Sequence, residues 1–385
     1  MCYDEAMSDF HVSLKKVVDD SYDIAIGSDL SGTLKTDLCA GLMGKIRRFA
    51  IVTDDLVKPL YADGIAALLM EAGFETEIFT IPHGEKNKTR EKKAWLEDAM
   101  LSKGFRRDCG VIAVGGGVVT DLAGFTAGTF GRGVPFVNYA TTLLAAADAS
   151  VGGKTAVDTP LATNLIGLFY QPKKVYIDVK AWETLPEREL RSGLAETIKH
   201  ACMADAAFFS YLEEHLDQLL SVSSSGSAQE KEARRAVCMH VAEKNCQIKY
   251  HVVEQDEKET SGLRETLNLG HTVGRAVETV SDYRLLHGEA VAIGLMFQAR
   301  LGEKSGYLSA DEVSRIKTLL EKAGLPVEIP SYIDREVLMK KLYTDKKVRN
   351  GTIRFVFQKG IGQMMHFEDG SYARAVSETE VRSVL

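Results

Sequence analysis

Over the first 180 residues, short apolar runs alternate with longer stretches whose apolar positions recur at helical spacing. FAIVTD at 49–54 and GVIAVGGG at 110–117 are apolar throughout and short, the pattern of strands buried on both faces of a parallel sheet. Between them, 59–72 has helical spacing and runs into Gly73, a residue suited to closing a helix. Strand, helix and strand again predict an open parallel sheet, which takes its ligands at the strand ends.

Near residue 186 the pattern changes. Amphipathic segments follow at 186–203, 205–222, 228–250, 271–280, 287–306 and 310–323, and no strand pattern returns before 352–358, TIRFVFQ. The serine-rich 221–230 reads as a surface loop between helices. The expected organisation is an α/β domain over 1–185 and a mainly α-helical domain over 186–385, with no internal repeat.

Charge narrows the functions this fold could serve. A net charge of −7 offers no basic face for nucleic acid, yet leaves room for an anionic small molecule, which needs only a few local cations. No apolar run reaches the roughly 18 residues of a membrane span, and MCYDEAMSDF has acids where a secretory signal has a basic region, so a cytoplasmic location is expected. The six cysteines are scattered without a CxxC pair and read as packed thiols.

Three groups of residues carry candidate chemistry. The first is VIAVGGGVVTDLAG at 111–124, in which a strand runs through Gly115, Gly116 and Gly117 into a helix bearing Asp121. Glycine lets backbone approach a pyrophosphate, and the helix N-terminus supplies N–H donors, although a tight turn without a ligand would look the same. This is not the GxGxxG pattern. Asp54 at a strand end, and Glu85 with Lys88 in the HGEKNKT loop, add groups that favour a dinucleotide.

The second group is Glu196 in SGLAETIKH, His271 in LNLGHTVGR and His287 in LLHGEAVAIG. One carboxylate and two imidazoles with an open position form a catalytic zinc set, while each residue alone would also serve as a helix acid or a packed histidine. The third group is basic: Lys154 in the glycine-rich segment 149–167 with Asn164, then Lys199, Lys249, Arg264, Arg275, Lys346 and Lys347. Cations beside a metal set and a glycine loop point to an anionic substrate.

GGGVVTDLAGF, DASVGGKTAV, GLFYQPK, LPERELRSGLAETIKH, IKYHVVEQDEKETSGLRETLNLGHT, LLHGEAVAIG and DKKVRNG resemble, in the same order, segments of the 3-dehydroquinate synthase family of sugar-phosphate cyclases, over about residues 22–365. The resemblance implies the dehydroquinate synthase-like fold, shared with metal-dependent alcohol and glycerol dehydrogenases. It implies NAD held by Asp54, Glu85, Lys88, Gly115, Gly116, Gly117, Asp121, Thr141 and Thr142, and Zn2+, with Co2+ as an alternative, on Glu196, His271 and His287. Lys154, Asn164, Asn268, Arg275, Lys346 and Lys347 would surround a phosphate; Arg264 and Lys249 would hold a carboxylate; Asp148 and Lys199 would lie near the reacting carbons. The family pattern is a homodimer in which the counterpart of Arg132 reaches the neighbour's site.

The implied reaction converts 3-deoxy-D-arabino-heptulosonate 7-phosphate to 3-dehydroquinate and phosphate, with NAD oxidised and regenerated within one turnover. Cyclases making 2-epi-5-epi-valiolone or amino-dehydroquinate, and metal-dependent polyol dehydrogenases, remain alternatives. Two positions depart from the family pattern: Arg275 stands where a histidine is usual, and Thr163 where a lysine is usual. An arginine at 275 supplies a permanent charge in place of the missing lysine but cannot shuttle a proton near neutral pH.

Overall fold

The computed structural model describes residues 18–221, 226–344, 348–349 and 352–385. The N-terminal half holds β1 (Asp23–Gly27), α1 (Ser31–Cys39), β2 (Arg48–Asp54), α2 (Asp63–Glu71), β3 (Glu75–Ile81), α3 (Arg90–Ser102), β4 (Cys109–Gly115), α4 (Gly117–Thr129), β5 (Phe136–Ala140), β6 (Lys154–Thr159), β7 (Ala162–Phe169) and β8 (Lys174–Asp178). Six of these strands form one parallel sheet in the order β1-β8-β5-β4-β2-β3. Every residue of β4 is buried and β2 is buried except at its ends, as continuous apolar strands covered on both faces must be.

The chain leaves β2 for β3 on one side and returns to β4 on the other. That reversal opens a crevice beyond the carboxyl ends of β2 and β4, where Asp54 and the Gly115–Gly117 turn lie. The glycine-rich 149–167 differs from a loop: much of it is an antiparallel hairpin, β6 against β7, standing apart from the sheet.

The C-terminal half contains α5 (Glu187–Ala204), α6 (Ala206–Leu220), α7 (Ala228–Gln255), α8 (His271–Val280), α9 (His287–Lys304), α10 (Ala310–Lys322) and α11 (Arg335–Thr344), then β9 (Val348–Arg349), β10 (Thr352–Val356), β11 (Ala373–Val376) and α12 (Glu378–Arg382). Strands β9, β10 and β11 form a small antiparallel sheet. One apolar cluster runs from Ala140, Val175 and Ile177 of the sheet to Leu194, Leu212, Val241, Leu295 and Leu319 of the helices, so no polar seam divides the halves.

Glycines bring α5, α8 and α9 together. A Cβ on Gly288 would lie 1.9 Å from the Ser192 carbonyl oxygen, and one on Gly294 would lie 1.8 Å from that of Gly270. Only hydrogen fits at either position, and each contact draws a helix terminus onto its neighbour. Gly294→Ala is expected to destabilise the fold by about 3 kcal/mol, because the obstacle is backbone and cannot rotate away. A loss of unfolding free energy in urea of less than about 0.5 kcal/mol would contradict that packing.

Candidate active site

Three helices each deliver one residue to a single point. Glu196 lies in the middle of α5 and is fully buried; His271 and His287 are the first residues of α8 and α9. The Nε2 atoms of His271 and His287 lie 3.3 and 3.4 Å from Glu196 Oε1. Neither carboxylate oxygen of Glu196 has an aligned hydrogen-bond donor among the described residues, and the buried group is balanced by its ion pair with Lys199 and by the two imidazoles. Burial opposes the Glu196 charge, but Lys199 and then His271 hold its carboxyl well below the usual range.

Each imidazole is oriented from behind. His271 Nδ1 donates to the Leu269 carbonyl at 3.1 Å, and His287 Nδ1 faces Glu278 Oε2 at 3.3 Å. Both therefore turn Nε2 towards Glu196, the tautomer a metal needs. Burial opposes charge on His287, yet Glu278 and Glu196 push its pKa up to about 10, whereas burial takes His271 down to about 4. Two carboxylates around two imidazoles thus attract positive charge, and this donor set fits a divalent cation of the zinc type.

A cavity of about 650 Å³ opens beside this point. Six cations line it: Lys154, Lys199, Lys249, Arg264, Arg275 and Arg354, against the carboxylates Asp121, Asp148, Glu259 and Glu265. The chain is acidic overall, yet this surface is basic. Lys249 is ion-paired with Asp148, Lys199 with Glu196 and Lys154 with Glu259. Arg264 is different. It is 1% exposed, donates to the carbonyls of Glu257 and of Gly152 (2.9 Å), and has no carboxylate in ion-pair contact among the described residues. Its Nε is buried without an acceptor among the described residues.

Arg275 also lines the cavity without an ion-pair partner among the described residues, as do Asn268 and Asn164. Asn164 sits at φ +53° in β7, its N–H held by Asp158 Oδ1 at 2.8 Å. Thr163 is half-buried and does not reach the cavity. Arg132 lies in the turn after α4 at φ +69°, away from the lining. Lys346 and Lys347 lie outside the described residues.

At the strand-end crevice, Asp54 Oδ1 accepts from the N–H groups of Leu56 and Val57 at 2.9 and 2.8 Å. Burial raises its pKa against those two donors. The Thr141 N–H donates to the Gly115 carbonyl at 3.1 Å, and a Cβ on Gly116 would approach Thr142 Cγ2 to 3.0 Å. Thr142 Oγ1 caps the following turn through Ala145 N at 3.0 Å. Lys88, 4% exposed, pairs with Glu85 at 2.6 Å and Asp121 at 3.3 Å. Burial lifts Asp121 to about 7 although Lys88 opposes it. The glycine turn, the start of α4 and the buried Thr141 hydroxyl, without a partner among the described residues, fit a nucleotide phosphate.

Several residues of the site were not legible in the sequence. Glu278 lies two helical turns after His271, on the same face of α8, a spacing that could have revealed it. Glu259 on Lys154, Arg354 from β10 and Phe169, whose ring centroid is 5.6 Å from the Arg264 guanidinium carbon, arrive from elements distant in sequence.

Fold and site together define an α/β enzyme of the sugar-phosphate cyclase type. A solved 2-epi-5-epi-valiolone synthase from Streptomyces hygroscopicus subsp. jinggangensis 5008, with NAD+ and Zn2+ bound, is similar with a TM-score of 0.82 and 28% identity, covering 97% of this chain and 98% of that one. Residues 78–192 match the 3-dehydroquinate synthase N-terminal family and residues 193–348 its C-terminal family. A 3-dehydroquinate synthase of Pelobacter propionicus is 46% identical over 89% of this chain and 92% of its own length, and one of Desulforamulus reducens is 43% identical over 95% and 96%. The chain belongs to the 3-dehydroquinate synthase family.

Proposed function

We propose that the cavity converts 3-deoxy-D-arabino-heptulosonate 7-phosphate to 3-dehydroquinate and inorganic phosphate. The observation that carries this reading is Arg264, a buried guanidinium with spare donors and no acidic partner among the described residues, beside the Glu196–His271–His287 set. A carboxylate on the substrate completes it, and the relatives at 46% and 43% identity are 3-dehydroquinate synthases. A zinc or cobalt ion on Glu196, His271 and His287 would supply Lewis acidity, and NAD in the strand-end crevice a reversible hydride acceptor.

The chain's own groups bind, orient and hold charge. Arg264 and Lys249 grip the carboxylate end, and Lys154, Asn164, Asn268 and Arg275 form the phosphate end. Asp148, held ionised by Lys249 and Lys199 against its burial, fixes the Lys249 ammonium at the cavity wall. The basic lining draws in a substrate that carries both a carboxylate and a phosphate and stabilises phosphate as it leaves. We assign the active unit as a homodimer: the Arg132 side chain has no hydrogen bond or ion pair among the described residues and lies away from the lining of this chain's own cavity. No described helix is long and apolar enough to cross a membrane.

The deciding experiment measures phosphate release by metal-loaded protein with NAD, offering the carboxylated heptulosonate phosphate and sedoheptulose 7-phosphate in parallel. Release from the first alone, without accumulating NADH, is the expected result; release from the second alone would give the valiolone-type reaction. Lys154 adds a pH signature. Partial desolvation of this half-exposed ammonium depresses it to about 8 despite Glu259, so kcat/KM should fall as pH rises through 8 and the ammonium is lost. Lys154→Arg should flatten that limb; an unchanged limb would show that another group controls it.

A further inference from the structure

The segment SVGGKT at 150–155 has the composition of an anion loop, two glycines ahead of a lysine. Its backbone is committed elsewhere. The Gly152 N–H donates to the Tyr22 hydroxyl oxygen at 2.9 Å, and the Gly152 carbonyl accepts from Arg264 Nη2 at 2.9 Å. The Gly153 carbonyl accepts from the Tyr170 N–H at 2.8 Å. Both glycines are buried and have positive φ, +94° and +65°. A Cβ on Gly152 would lie 2.6 Å from Arg264 Nη2, and one on Gly153 would lie 2.5 Å from the Gln171 amide. The two glycines therefore form a seat for an arginine, not a cradle for phosphate.

Four stretches distant in sequence close a ring around that seat. Tyr22, just before β1, holds Gly152, and Gly152 holds Arg264 Nη2. Arg264 Nη1 donates to the Glu257 carbonyl, and Glu257 Oε1 accepts from Gln171 Nε2 at 2.9 Å. Gln171 completes the circuit by packing its amide on Gly153. The softest point of the ring is Gly152. Glycine has no side chain to restrict φ and ψ, so its two hydrogen bonds do most to define where the carbonyl points. One of them ends on Tyr22. The Tyr22 ring packs on the apolar cluster shared by both halves, which fixes its hydroxyl in turn. Burial raises the phenol pKa, so the oxygen remains a neutral acceptor at working pH.

We propose that Tyr22 is a positioning residue for Arg264: through Gly152 it fixes the plane of the guanidinium, and with it the preference for a carboxylated substrate. Tyr22 is not part of the cavity lining, so its effect runs through the backbone. Arg264 gives one Nη1 and one Nη2 proton to the two carbonyls. Its remaining donors face an incoming anion only while both carbonyls stay in place. When Gly152 turns away, the guanidinium loses an anchor and its fork is no longer set before the carboxylate arrives.

The aim of Arg264 can be read without turnover; the substrate preference rests on the proposed dehydroquinate synthase reading. Tyr22→Phe removes one oxygen and keeps the packed ring. Full-length protein carrying 15N-arginine, with the Arg264 signals assigned by their loss in Arg264→Lys, should resolve the two Nη nitrogens. In Tyr22→Phe they should exchange roughly tenfold faster. In kinetics, Tyr22→Phe should raise KM for the carboxylated heptulosonate phosphate roughly threefold to tenfold with kcat within about twofold. Any turnover of sedoheptulose 7-phosphate should be unchanged. Gln171→Met opens the ring on its other side and should act in the same direction. Tyr170→Phe is the control, since it deletes a neighbouring hydroxyl bond, to the Val134 carbonyl at 2.9 Å, that lies outside the ring. It should leave both readouts where they are. Unaltered Arg264 exchange in Tyr22→Phe would overturn the proposal, as would an equal rise of KM for both sugar phosphates or the same changes in Tyr170→Phe. If the wild-type protein turns over neither substrate while exchange still quickens in Tyr22→Phe, the functional reading fails and the positioning of Arg264 stands.

Discussion

His271→Ala protein should fold, bind no stoichiometric zinc and lose on the order of 10⁴-fold in phosphate release. The reasoning is electrostatic. Glu196 Oε1 faces both imidazoles at 3.3 and 3.4 Å, and removing either ring leaves a buried carboxylate with too few partners to hold a dication. The same loss should follow chelation of the wild-type protein and be reversed by added zinc or cobalt, which separates metal loss from misfolding. Glu278→Gln provides the graded comparison. It keeps an acceptor for His287 Nδ1 but removes the charge behind it, so metal affinity should fall about 10- to 100-fold, read by competition with a coloured chelator. If His271→Ala retained turnover within tenfold of wild type, the Glu–His–His set would be structural and the chemistry would lie elsewhere.

The parts of this molecule legible in the sequence are those whose periodicity is local. Strands β2 and β4 are uniformly apolar because both faces are covered, and α5, α6, α8, α9 and α10 each carry a core stripe, so their limits were read to within a few residues. The hairpin β6–β7 escaped because its strands are short, glycine-bearing and partly exposed, with Leu161 and Leu165 facing outward, which erases the alternation that marks a half-buried strand. Helix α11 escaped because the charges of REVLMKKLYT at 335–344 blur its apolar face.

The site divides in the same way. Glu196, His271 and His287 were named from residue type, but their convergence depends on close contacts at Gly288 and Gly294 that no spacing rule supplies. The pairing of Lys154 with Glu259 and the hydrogen bond between His200 and Asn245 join residues 105 and 45 positions apart. Such contacts are products of packing and become visible only when the helices are assembled.

Arg264→Lys should cost the carboxylated substrate about 10²- to 10³-fold in kcat/KM while leaving any activity on sedoheptulose 7-phosphate nearly unchanged. Of the five N–H donors of Arg264, one goes to the Glu257 carbonyl and one to Gly152, which leaves three, including the buried Nε, for an incoming anion. Lysine keeps the charge but not the planar fork, so it cannot hold both carbonyls and a carboxylate at once. Truncation to alanine would be a poorer test, because the carbonyls of Gly152 and Glu257 would lose their donor and the loop 256–262 would loosen. The Asp256 carboxylate ties that loop to the Arg264 N–H at 3.0 Å as well as to Thr260 and Ser261, so the backbone survives the lysine change. The result therefore reports on the guanidinium alone. Equal losses on both sugar phosphates would make Arg264 a scaffold residue and remove the main support for a carboxylated substrate; a loss confined to the carboxylated one would tie the identity of the substrate to a single buried charge.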